Sequence, residues 1–168
     1  MNKTQKLLII GGLLLTLLGM CYGLYYALFD EHQTLQGMGV SMATGFTEAA
    51  ENNLPEARTA IETFADIQFE YRREVHMHSH WISLGMLLIV LGMAFNQIAF
   101  NEYHRFLIAL TLVSGATIFP LGVLLQAICP GSIGSILSIS GTIAIIVSFF
   151  FVTWGFVKPL EMNTKKNN

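Results

Sequence analysis

Four stretches of this chain run apolar almost without interruption: residues 7–29, 80–100, 106–128 and 133–157. At 1.5 Å per residue, about 20 such residues cover the ~30 Å hydrocarbon core of a bilayer, and each run reaches that length. The last three are joined only by the short turns NEYHR and CPGS. Between the first two lies the one sizeable polar stretch, residues 30–79. The pattern predicts an all-α integral membrane protein, residues 1–168 forming a single membrane domain with four transmembrane helices. The first run follows a basic start, as a signal peptide would, but it is longer than the usual apolar region and ends without an A-x-A-like site. It is expected to stay as a helix of the mature protein.

The polar stretch is predicted to be mostly helical. QGMGVSMATG, with three glycines in ten residues, reads as a loosely helical or turn-rich connection. Asn53 followed by Pro55 then marks a helix start, since proline is tolerated in the first turn. Beyond it Ile61, Phe64, Gln68, Tyr71, Val75, His78 and Ile82 recur at three- and four-residue steps, the spacing of one helical face. No glycine or proline falls between Glu56 and Ser83. The expectation is one continuous helix from about Pro55 to Phe100, in which the second membrane helix extends outside the membrane.

Charge sets the orientation. Lys3, Lys6, Arg105, Lys158, Lys165 and Lys166 lie at the termini and the NEYHR turn, against Arg58, Arg72 and Arg73 on the other side. Positive residues gather on the cytoplasmic side, so both termini are expected inside, with residues 30–79 outside, in a bacterial inner membrane. Tyr22, Tyr25, Tyr26 and Trp81 then fall at the outer interface, and Tyr103 and Trp154 at the inner one.

Composition narrows the function. With 53% hydrophobic and 12% charged residues the chain is too apolar for an ordinary soluble domain. Nine lysines and arginines scattered without a basic patch exclude nucleic acid as a partner. Membrane lipid and other membrane subunits, or further copies of the chain, are the partners expected. Cys21 and Cys129 lack CxxC spacing and a C-x-x-C-H motif, which excludes a covalently attached haem. No metalloprotease, phosphate-loop or Ser-His-Asp pattern points to hydrolysis or phosphoryl transfer.

The candidate chemistry lies in histidines. His32 follows the first apolar run; His76, His78 and His80 enter the second; Cys129 closes the third, all on the predicted outer side. At about 100° per residue, His76 and His80 share a helix face while His78 points roughly 160° away from each. His78 also continues a stripe through Gly85, Gly92 and Asn96, where a neighbouring backbone or a flat macrocycle could approach. An imidazole buried there without a partner costs on the order of 1–3 kcal/mol, so a ligand role is expected for it. Two histidines on different helices could hold haem b, with His78 and His80, His32 or His76 as candidates. His76 and His80, with His32 or Cys129, could instead hold copper or zinc, and Met77 or Met38 would favour Cu(I). Simple hydrogen bonding at the interface is the plain alternative. His104, alone at the other end, reads as a solvated interfacial residue.

His78-x-His80-x4-Gly85, the basic turn after it and SGATIFPLGVLLQ resemble small membrane proteins similar to a fragment of haem–copper oxidase and nitric oxide reductase subunit I. The resemblance covers about residues 75–126. It implies haem b binding and would carry a ligand role onto His78 or His80 only. The chain lacks the many helices, the copper-centre histidines and the cross-linked tyrosine of those oxidases, so oxygen or nitric oxide reduction is not implied. The expected function is electron transfer in a respiratory complex through a haem b or metal. The alternatives are a non-catalytic accessory or assembly subunit, and an outer-face copper-binding protein.

Overall fold

A computed structural model of the chain describes residues 1–128 and 131–158. Five α-helices account for nearly all of these residues: α1 Lys3–Phe29, α2 Glu31–Ala50, α3 Leu54–Ala94, α4 Glu102–Ile128 and α5 Ser132–Val157. Four of them, α1, α3, α4 and α5, are long and apolar enough to cross a membrane. The chain divides into two compact units, one of Met1–Leu18 with the residues from His80 onward, the other Gly19–Ser79.

The first unit begins with a reciprocal cap. The Asn2 side chain accepts from the Gln5 amide at 2.8 Å and the Gln5 side chain accepts from the Asn2 amide at 3.2 Å, satisfying two donors that open α1. Asn101 caps α4 in the same spirit, its Oδ1 accepting from the His104 amide at 3.0 Å. Leu8, Leu15, Leu88, Leu112 and Ala116 are buried between the helices. Outward-facing isoleucines and phenylalanines dominate α5 instead, with Ile136, Ile143, Ile146 and Phe150 all exposed. A helix that turns its large apolar side chains out and its glycines in has the arrangement of a lipid-facing element.

Small residues bring the helices together in this unit. A Cβ on Gly122 of α4 would lie 2.4 Å from the Ser138 backbone nitrogen and 2.9 Å from the Gly134 carbonyl oxygen of α5. The Gln126 amide adds a hydrogen bond of 2.9 Å to the Ser138 hydroxyl across this contact. On α3, a Cβ on Gly85 would meet the Gly12 carbonyl oxygen at 2.7 Å and the Thr16 amide nitrogen at 2.8 Å. A Cβ on Gly92 would likewise meet Ile9 and Leu8. The glycine stripe of α3 is therefore filled by α1.

The end of α3 departs from the expected Phe100. The α-helix stops at Ala94, tightens into a 3₁₀ turn over Phe95–Gln97, and passes through extended Ile98. Phe95 and Ile98 turn inward and are buried at 1% and 0% exposure. The Ala99 amide donates to the Gly155 carbonyl of α5 at 2.9 Å. Continuing the helix would turn Ile98 away from this pocket and break the Ala99 bond, so packing ends it six residues early.

In the second unit, QGMGVSMATG is regular helix within α2, so the helical reading of it holds and the turn-rich one does not. Two of its glycines are used for packing: a Cβ on Gly37 would touch Ile67 of α3 at 3.4 Å, and one on Gly45 would touch Ile61 at 3.4 Å. The hydroxyls of Thr34, Ser41 and Thr47 each donate to the carbonyl four residues back, so they are satisfied inside the helix. Asp30 alone separates α1 from α2, and helical bonds run to it and from it, Asp30 N to Tyr26 O and Thr34 N to Asp30 O.

The α2–α3 turn closes by backbone chemistry. Asn52 takes the left-handed conformation, φ 62°, and its amide donates to Ala49 O, while the Asn53 amide donates to Glu48 O. That pair of bonds is the Schellman stop, with asparagine filling the place glycine usually takes. Asn53 also binds the Glu48 carboxylate at 2.8 Å. α3 then starts at Leu54 with Pro55 in its first turn, as the sequence suggested.

Candidate functional site

His78 finds its partner on its own helix. Its Nδ1–H donates to the Glu74 carbonyl at 3.1 Å, and its ring lies over Gly23 of α1, where a Cβ would be 3.3 Å from the imidazole Cδ2. A carbonyl of its own helix thus takes the place of water at Nδ1, so burial alone does not call for a metal or haem. The room left by Gly23 is filled by the imidazole, and the room along Gly85 and Gly92 by α1.

His76 and His80 are both exposed, as their shared face requires, and the His80 ring stands edge-on to Phe119 at 5.3 Å. His32 is exposed in the first turn of α2. Met77 is buried at 1% exposure and acts as core. Cys129 lies outside the described residues. Among the described residues, no three His, Cys, Asp or Glu side chains come together in a way that could hold a metal ion. His104 is exposed, and its Nδ1–H donates to Asn101 Oδ1, the same oxygen that caps α4.

What the second unit does bring together is a set of tyrosines and charges. The Tyr22 hydroxyl donates to the Glu74 carboxylate in a short hydrogen bond. Tyr26, one turn on, is buried at 5% exposure and tilts against Tyr71 with ring centroids 6.4 Å apart. Beside them opens a cavity of about 440 Å³, walled by these tyrosines and by Asp30, Glu70, Arg73 and Glu74.

Sequence reasoning did not reach this cluster. Tyr22 and Tyr26 read as belt aromatics, and Arg73 only as one of the basic residues that set orientation. The signal was present in the spacing: Tyr22 and Tyr26, like Glu70 and Glu74, stand four apart and so share a face of their helices. Comparison of the chain with protein-family models, with curated proteins and with solved structures finds no match.

Proposed function

We propose that this chain is a non-catalytic subunit of a larger membrane complex, anchored by its four apolar helices and docked to a partner through the α2–α3 hairpin. The observation that carries this reading is an exposed apolar seam on α2. Leu35, Gly39, Met42 and Phe46 follow one another at steps of four, three and four, and all are exposed, Phe46 at 72%. This is the spacing of a helix–helix seam. It lies roughly 130° around α2 from Gly37 and Gly45, which face α3, at about 100° per residue. Residues 30–79 carry nine acidic and three basic side chains. Two copies meeting through this seam would bring like charges together, so a partner with a basic rim is favoured over self-association.

Extraction in a mild detergent tests this. The wild-type chain is expected to migrate in an assembly heavier than a dimer, and Phe46→Ser with Met42→Ser to release it as the single chain. Wild type running as a monomer or a homodimer sinks the proposal. The same preparation addresses the haem b and copper readings, which keep one specific support. With the His78 Nδ1 proton committed to a carbonyl, Nε2 is the lone-pair nitrogen, an orientation shared by many metal-bound histidines. Visible spectra without a reduced b-type α-band are expected. A band abolished by His78→Ala would return the chain to electron transfer and to the oxidase-like resemblance.

The reading also places both termini in the cytoplasm of a bacterial inner membrane and the hairpin outside, supported by the six-to-three lysine and arginine bias. In a chain with Cys21 and Cys129 changed to Ser, a cysteine at Thr47 should react with a membrane-impermeant maleimide in intact cells, and one at Asn167 should not. The reverse pattern inverts the orientation.

A further inference from the structure

We infer that the tyrosine-lined cavity of the second unit binds a phospho-ammonium zwitterion, the chemistry of an ethanolamine phospholipid headgroup. Two observations set the ligand's polarity. On one side are buried donors that lack acceptors. The Tyr26 hydroxyl lies close to Thr34, yet it makes no hydrogen bond of good geometry. The Thr34 hydroxyl proton is committed to Asp30 O at 2.9 Å. The Arg73 Nε–H is buried and has no hydrogen bond among the described residues either. A phosphate supplies acceptor oxygens and negative charge to both.

On the other side are acceptors that lack a cation. Glu74 is engaged by the Tyr22 hydroxyl, while Asp30 and Glu70 line the cavity without an ion pair among the described residues, where Arg58 pairs with Glu62 elsewhere on the hairpin. Tyr22, Tyr26 and Tyr71 also line the cavity, and aromatic rings are suited to an ammonium group. Three carboxylates against one guanidinium leave the lining with a net negative charge, which disfavours a bare anion. A bare cation would leave Tyr26 and Arg73 unsatisfied. A ligand carrying both charges a few bonds apart answers both halves. The volume of about 440 Å³ accommodates such a headgroup.

Lipid is one source of this chemistry. Tyr22 and Tyr26 lie in the last two turns of α1, a helix long enough to cross a membrane, and its end would stand at headgroup level. A soluble phosphoethanolamine compound is the other.

Native mass spectrometry of the full chain in detergent tests the site, with short-chain phosphatidylethanolamine, phosphatidylglycerol and free glycerophosphoethanolamine as probes. Phosphatidylethanolamine should be retained at least about tenfold more tightly than phosphatidylglycerol. Arg73→Gln and Tyr26→Phe should each weaken it by about tenfold, in line with loss of a hydrogen bond to a charged group, while Arg58→Gln leaves it unchanged. Tyr26→Phe removes a hydroxyl and no bulk, so it also guards against misfolding as the cause. Competition by glycerophosphoethanolamine shows that the headgroup alone is read. Binding of that compound without binding of the lipid supports the zwitterion and rejects the lipid as its source. Equal retention of the two lipids, or retention indifferent to Arg73→Gln and Tyr26→Phe, overturns the assignment. None of these outcomes depends on whether the α2 seam docks a partner.

Discussion

Gly122→Ala is expected to lower the thermal unfolding midpoint in detergent by about 5 °C or more, while Gly39→Ala raises it. The two changes add the same methyl group to a helical glycine, so propensity favours both by up to ~1 kcal/mol. They differ in what the methyl meets. At Gly122 all three nearest atoms are α5 backbone: Ser138 N at 2.4 Å, Gly134 O and Leu137 C at 2.9 Å. None can rotate aside, so α5 must move off α4, at a cost typical of overpacking, ~1–3 kcal/mol or more. The Gln126–Ser138 hydrogen bond beside it would lengthen at the same time. At Gly39 nothing lies within 4 Å. Circular dichroism melts of the purified chain compare them directly. Equal midpoints for the two variants would mean that the α4–α5 approach is looser than described.

Gly155→Ala is the second large effect expected. Its Cβ would fall 2.2 Å from Ile98 Cγ2 and 2.7 Å from the Phe100 ring. These are side chains, but Ile98 is fully buried and has no free space to turn into. The Gly155 carbonyl also holds the Ala99 amide, so displacing the 95–100 segment loses that bond as well as the packing. The reversal should open before the rest of the unit melts. Hydrogen exchange at Ala99 reports it: protection should fall by roughly tenfold to a hundredfold, from ~1.4–3 kcal/mol of local stability. Unchanged protection at Ala99 would show that the segment holds without this contact.

The readable parts of the fold were those that local chemistry decides. Apolar runs of span length, the Asn53–Pro55 start and the uninterrupted heart of α3 all express themselves in neighbouring residues. The misread parts depend on residues far away. QGMGVSMATG has poor helix propensity, which left its turn-rich reading open, and contact of Gly45 with Ile61 and Gly37 with Ile67, on a different helix, makes its glycines useful. Phe95 through Phe100 is as apolar as the helix before it, and the stop comes from Gly155. For the candidate site, the phase argument separated His78 from His76 and His80, and His78 alone of the three turns inward. What the sequence could not reveal is that a backbone carbonyl one turn back already satisfies it. The tyrosine cavity was hidden because its walls come from α1, α2 and α3, and its defining property is unpaired groups.

The clasp between Ala99 and Gly155 carries a consequence for biosynthesis. The turn that it secures is made early, but the carbonyl that secures it is made roughly 55 residues later. At ordinary elongation rates of ~5–20 residues per second, that interval lasts roughly 3 to 11 seconds. Throughout it, the strip from Phe95 to Phe100 leaves the ribosome with its amide unpaired and its large side chains without the α5 surface that later buries them. Closure of this strip is therefore timed by the last turn of α5, where Gly155 stands.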